Sequence, residues 1–302
     1  MSLKVAWDEC YALPLKEGHR FPMEKYPLLK EQLEYRGIVN KKDFFRPSKL
    51  PDYSNIFLAH DESYLHRLEN AELSKSEIRA IGLPYDEALI EREVTIVNGT
   101  IEATKYAQDF GVSMNIAGGT HHAFTNRGEG FCVLNDQAIA AAMLMNNSRT
   151  QSIAIVDLDV HQGNGTAEIF QNNEGVRTIS VHGDKNYPLR KEKSDLDVAL
   201  MDDCEDETYL RIIQNDVIAY LDAIEPEFIF YQSGVDILGS DKLGKLNVSI
   251  EGCKERDKIV LEYCKNKSIP VVCCMGGGYS KDIKVILEAH TNTFALAKDI
   301  FF

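Results

Sequence analysis

No run in this sequence approaches the ~18 to 20 apolar residues that a membrane span needs. The opening stretch MSLKVAWDECYALPLKEGHRF has no apolar signal core either. These absences give the expectation of a soluble, cytoplasmic protein with no membrane partner. Cysteine is present but unorganised: seven residues, an odd number, with no C-x-x-C pair. That pattern argues against a disulfide framework and against a structural zinc knuckle. Cys273 and Cys274 lie in the apolar run IPVVCCM, where packing accounts for them. Positive charge is scarce as well, with 33 Lys and Arg against 47 Asp and Glu and a net charge of −14. Binding the backbone of a nucleic acid needs a basic surface, so no direct nucleic-acid partner is expected. A cationic substrate, such as a lysine-bearing peptide or a polyamine, would instead be steered in. The densest acidic run, DDCEDE at 202–207, precedes a helical pattern and is expected to cap it and complement its dipole.

What is present is a regular alternation of apolar strand candidates and amphipathic helical patterns. With 302 residues, 44% of them hydrophobic, the chain can bury a large core. Strands are expected at 3–7, 112–117, 152–158, 176–182, 227–233 and 270–275, and helices near 23–36, 61–70, 87–109, 136–147, 206–223, 250–267 and 281–299. Continuous apolar strands separated by helices pair in parallel, with helices covering both faces. No repeat, low-complexity tract or linker divides the chain. The expectation is one α/β domain over 1–302, built on a central, mainly parallel sheet. Ligands bind such sheets outside the carboxyl ends of the strands. Four candidate strands run into polar or glycine-rich sequence there: IAGGTHH, DLDVHQGNG, SGVD and GGGY.

The most informative of these is Asp157-Leu-Asp159-Val-His161 at the end of the strand SIAIV. Residues two apart in an extended chain point the same way, so both carboxylates and the imidazole emerge on one side. Crowding two acids together is unfavourable, and a bound cation relieves it. A bare D-x-D is as often a solvated strand end; the histidine tips the reading toward a metal. Asp236, after SGV, completes a three-ligand set that leaves a position open, as in catalytic zinc sites. Taken alone, an Asp in that place more often caps a turn. Two carboxylates and one imidazole make an oxygen-rich site that suits Fe(II) or Mn(II) as well as zinc. His121 and His122 follow a Gly-Gly-Thr loop, and an imidazole beside an acidic partner suits proton transfer; Asp157 and Asn164 are the natural orienting partners. Gly276-Gly-Gly-Tyr279 lacks the spacing of a phosphate loop. It suits a tight backbone that presents the Tyr279 phenol to a cavity, where a hydroxyl can stabilise an oxyanion.

In combination these segments resemble the zinc-dependent histone deacetylase family of the arginase–deacetylase superfamily. EGHRFPMEKY (17–26), GGTHHAF (118–124), GFCVLND (130–136), DLDVHQGNGT (157–166) and GGGY (276–279) carry the match in family order. EGHRFPMEKYPLL and DVHQGNG look most like the class IV branch and its bacterial relatives. The resemblance implies metal ligation by Asp159, His161 and Asp236, with His121 paired to Asp157 and His122 as the main proton shuttle. It implies that Tyr279 polarises an acyl carbonyl opposite the metal. Gly130 and Phe131 match the wall of a narrow acyl-lysine tunnel, and Tyr187 is assigned to the opposite wall. A structural potassium ion is also implied, held by backbone carbonyls of Asp157, Asp159, His161 and Val181 and by the Ser180 hydroxyl. The chain departs from many deacetylases in carrying Gln162 and Asn164 where those have a second His and an Asp. Class IV members share the change, which leaves open whether His121 or His122 carries the proton.

The activity implied is metal-assisted removal of an acetyl or longer acyl group from an acylated lysine of a peptide or protein. Three other readings stand beside it. An acylated polyamine would use the same chemistry. A ureohydrolase on the same scaffold would need a second metal and further ligands. A non-catalytic scaffold would leave His121, His122 and Tyr279 unexplained.

Overall fold

All six expected apolar runs are strands, and two short ones join them at the edges of the sheet. The computed structural model describes residues 2–147 and 150–302. Its strands are β1 (Lys4–Ala6), β2 (Phe44–Phe45), β3 (Val112–Asn115), β4 (Ile153–Asp157), β5 (Val176–Gly183), β6 (Leu196–Leu200), β7 (Phe228–Gln232) and β8 (Val271–Cys274). They form one sheet in the order β2-β1-β3-β8-β7-β4-β5-β6. Every pairing is parallel, so the sheet is wholly rather than mainly parallel. Each residue of β3, β4, β7 and β8 is buried, because helices cover both faces of a parallel sheet. β2 and β6 were not expected: one is two residues long, and the other, LDVAL, lies half-exposed along the edge.

The order of the central strands positions the site. β3, β8, β7 and β4 are neighbours, and they are the four strands whose ends carry the polar loops. Register aligns Asn115, Cys274, Gln232, Asp157 and Ser180 in one row across the sheet. Each loop leaves the sheet just beyond that row.

The expected helices form with ends close to their predicted bounds, and side-chain caps fix several of them. Asp86 accepts from the Leu89 amide to start Glu87–Phe110, and Ser249 accepts from the Gly252 amide to start Ile250–Lys267. Shorter helices at Tyr53–Ile56, Lys75–Ile81 and Asn164–Phe170 were not anticipated. The stretch expected as one helix over 206–223 is interrupted by a π-helical turn at Ile213–Val217. The acidic run before it makes no side-chain cap: the N-cap Glu205 forms no such bond. Asp206 turns instead to Ser249, accepting from its amide at 2.7 Å and its hydroxyl at 2.5 Å. The run therefore ties two helices together, because Ser249 lies within reach only in the folded chain. No helix among the described residues is long and apolar enough to cross a membrane.

One buried ion pair braces the loops after β4 and β7. Arg256 and Asp257, both fully buried, meet at 2.8 Å. The Arg256 guanidinium donates to the carbonyls of Leu158 at 3.1 Å and Gly234 at 2.7 Å, while Asp257 accepts from Tyr231 and Thr293. Removing one partner of a buried pair leaves a charge without compensation, at a cost of about 3–5 kcal/mol. Arg256→Ala is expected to lose stability on that scale in urea unfolding. The partly exposed Lys30–Glu34 pair, at 2.9 Å, should yield about 0.5 kcal/mol or less on Lys30→Ala. Comparable losses for the two variants would refute the brace.

Candidate active site

Asp159, His161 and Asp236 converge. Their ligand atoms lie within 4.8 Å of one another, and all three residues are buried. His161 Nδ1 sits 3.1 Å from Asp159 Oδ1 and 3.1 Å from Asp236 Oδ2. The extended strand ends at Asp157, and bends rather than strand alternation carry Asp159 and His161, each amide donating to the carboxylate two residues before it. Asp236 arrives because β7 is the neighbour of β4, with Asp157 opposite Gln232. Backbone amides hold the carboxylates in place: Gly277 donates to Asp159 at 2.8 Å, Val160 to Asp236 at 3.0 Å and His161 to Asp159 at 3.0 Å. A Cβ at Gly277 would stand 2.0 Å from Asp236 Oδ2 and 2.9 Å from Asp159 Oδ2. Only a residue without a side chain lets the loop after β8 come so close.

The donor set fits a divalent cation. Burial, and then the charge of Asp159, push the Asp236 carboxyl up to about 7. Among the described residues this is the one cluster of its kind.

The two adjacent histidines lie beside the cluster with ring centroids 4.1 Å apart, yet their environments differ. His121 Nδ1 is 2.6 Å from Asp157 Oδ2. Burial opposes its charged form, but the charge of Asp157 and their hydrogen bond prevail and raise the imidazole above its ordinary value. His122 Nδ1 is 2.6 Å from Asn164 Oδ1. Burial, reinforced by the charges of His121 and His161, holds His122 well below the ordinary range. His122 is therefore the neutral ring of the pair. The Thr-His-His loop is shaped by Asp136, whose Oδ1 accepts from the amides of Gly119 at 2.9 Å and Thr120 at 2.8 Å. Asn135 spans the next turn, donating to Ala123 and Thr166.

A cavity of about 250 Å³ opens over these groups, with His122, His161 and Tyr279 among its lining. The Tyr279 ring lies 6.2 Å from that of His161 and 6.2 Å from that of Phe131. Burial, and then the charges of Asp236 and Asp159, hold its phenol well above the usual range, so it is protonated and can donate. Gly130 and Phe131 form one wall. Gly130 has φ +59°, and a Cβ there would meet the His122 ring at 2.7 Å. Phe131 is itself left-handed at φ 69°, a conformation that costs a non-glycine residue about 1–3 kcal/mol. Tyr187 lines the same cavity, 4.9 Å from the His122 ring at 89° and close beside Gly130. Ser180 and Val181 are buried on β5 next to β4, with Ser180 in register with Asp157.

Gln162 stays out of the cluster. Its amide donates to the Glu192 carbonyl at 2.7 Å and to Asp197 at 2.8 Å. Four contributors escaped the sequence reading: Arg256, Asp136, Asp241 and Glu129. Asp241 accepts from the Tyr279 amide at 2.6 Å, and Glu129 accepts from Asn164 Nδ2 at 2.8 Å. Asp136 and Glu129 lie in or next to GFCVLND, so proximity to a motif was the only signal.

Comparison with known proteins is consistent with this geometry. The model of the histone deacetylase domain matches residues 19–294. An uncharacterized protein of Picosynechococcus sp. is 39% identical, with 100% of both chains covered. Histone deacetylase 2 of Arabidopsis thaliana is 29% identical over 92% of this chain and 74% of its own. The crystal structure of the HDA15 HD domain superposes with a TM-score of 0.83, covering 99% of this chain and 88% of that one at 19% identity, a likeness of fold. A family model that spans nearly the whole chain, over a sheet that gathers the matched segments at one edge, establishes that the chain belongs to the histone deacetylase family.

Proposed function

We propose that the chain is a metal-dependent amidohydrolase that removes an acetyl or longer acyl group from an acylated lysine side chain. One observation carries the reading: a buried cluster of three ligand-competent side chains presents His161 to a cavity that a neutral imidazole and a protonated phenol also line. Asp159, His161 and Asp236 would hold the ion, Zn(II) in this reading with Fe(II) as the alternative. When bound it supplies a Lewis acid that polarises the acyl carbonyl and acidifies a water. His122 takes the proton from the attacking water as oxygen bonds to the carbonyl carbon. Tyr279 donates a hydrogen bond to the carbonyl oxygen as it gains charge. His122 then delivers its proton to the amine as the carbon–nitrogen bond breaks, giving a carboxylate and a free lysine. His121, held charged against Asp157, contributes a fixed positive field beside these steps.

A second, smaller void continues past Phe131 and Tyr279 among Gly118, His121 and Asp159. Gln162 and Asn164 support placement in the class IV-like branch. We also infer a potassium-type cation among the carbonyls of Asp157, Asp159, His161 and Val181 with the Ser180 hydroxyl, which shares the buried row beside Asp157. An acylated polyamine is the second reading, favoured by the net charge of −14.

Tyr279→Phe is expected to lower kcat on an acetyl-lysine peptide by about 10²–10³ while metal content stays at the wild-type level; near-normal turnover would remove the phenol from the mechanism. Metal analysis should find one divalent ion per chain. Chelation should abolish turnover until Zn(II) or Fe(II) is restored, and Asp236→Asn should bind the ion more weakly. Two ions per chain would point to the ureohydrolase reading instead.

A further inference from the structure

We propose that the mouth of the cavity selects an acylated lysine set among anionic residues, a reading that rests on the deacylase function above. Apart from the histidines, four charged side chains line the cavity, and all are cationic: Arg20, Arg79, Lys185 and Lys245. They come from four separate segments, and all four are exposed. Among the described residues no carboxylate lines the same space, in a chain where acids outnumber bases 47 to 33. Lys185 has one acidic neighbour, Asp202 at 3.4 Å. Arg20, Arg79 and Lys245 make no ion pair among the described residues. Arg20 instead lies over the Phe131 ring, 5.4 Å from its centroid, which places a guanidinium directly on the tunnel wall. Salt screens exposed charges beyond about 8–10 Å, so these local cations outweigh the net charge at the entrance. They sit at the mouth, whereas His122, Phe131 and Tyr279 form the inner wall. The complementary anion therefore belongs to the residues flanking the lysine rather than to the acyl group, and a cationic polyamine is disfavoured.

An exposed ion pair gives at most about a fivefold effect, and two or three together about tenfold or more. The test uses three acetyl-lysine peptides that differ only in flanking Glu, Gln or Lys, together with an N-acetylated polyamine. With metal-loaded enzyme at low ionic strength, kcat/KM should fall in the order Glu, Gln, Lys, with the polyamine last and the spread shrinking in high salt. Arg20→Glu with Lys245→Glu should reverse the peptide order. Equal rates on the three peptides, a preference for the polyamine, or an order unchanged by the reversal would overturn the proposal. No turnover of any substrate would overturn the deacylase reading itself.

A separate observation concerns Glu129, and we infer that it positions His122 by fixing the direction of the Asn164 amide. A carboxylate only accepts, so the Asn164 NH₂ must face Glu129, at 2.8 Å. The Asn164 oxygen then faces His122, at 2.6 Å, and Nδ1 must carry the proton. Nε2 is left with its lone pair. An amide without this anchor could turn over and reverse the tautomer. Glu129→Gln can either donate or accept, so it removes the anchor while keeping shape. In the zinc-loaded protein with ¹⁵N-labelled histidine, Glu129→Gln should give His122 a mixture of tautomers and a kcat several-fold lower at little-changed KM. Adding Asn164→Asp, an acceptor only, should restore the Nδ1–H form of the neutral ring, read at alkaline pH because a carboxylate also favours the charged ring. A single tautomer and full kcat in Glu129→Gln would overturn the assignment.

Discussion

Two buried carboxylates, Asp159 and Asp236, each lie 3.1 Å from one ring nitrogen of His161, and much of the architecture serves to keep them there. Buried charge that is neither paired nor hydrogen-bonded is strongly unfavourable. The sheet answers with adjacency, because β4 and β7 are neighbours in register and bring the two acids from 77 residues apart along the chain to one point. The backbone answers with amides from Val160, His161 and Gly277. Behind the site, Arg256 holds the carbonyls of Leu158 and Gly234, one residue before Asp159 and two before Asp236. Two carboxylates and one imidazole gathered in this way form a donor set that a divalent cation suits.

The parts of this arrangement written in local periodicity were legible in the sequence. The four polar strand ends depend only on parallel pairing, and the D-x-D-x-H spacing marked the right residues although bends, not an extended chain, carry Asp159 and His161. Residues whose role depends on a distant partner were not. Arg256 lies in the helical pattern EGCKERDKIV and reads like a solvated charge, yet it is fully buried because its partners come from the loops after β4 and β7. The acidic run 202–207 was expected to cap the helix that follows, but its Asp206 goes to Ser249, 43 residues away, instead. β2 and β6 carry too little burial to leave an apolar signature. Net charge averages over the whole surface, whereas the cavity mouth carries four particular cations.

The histidine pair shows how small a chemical difference can separate two roles. His121 and His122 are chain neighbours with rings 4.1 Å apart, and each presents Nδ1 to a side-chain oxygen at 2.6 Å. One oxygen belongs to a carboxylate and the other to an amide. The carboxylate stabilises a charged ring, so His121 is raised, and that charge then helps to push His122 down. Titratable groups driven apart in this way mark a division of labour between acid and base. A carboxylate at position 164 would narrow the gap by drawing His122 toward the charged form as well. The amide preserves the asymmetry, and it fixes the tautomer of His122 only if something fixes the amide. In the mechanism proposed here the weaker base is therefore the proton carrier. Its weakness helps: a ring that is neutral at rest can accept a proton from water and give it up readily to a departing amine.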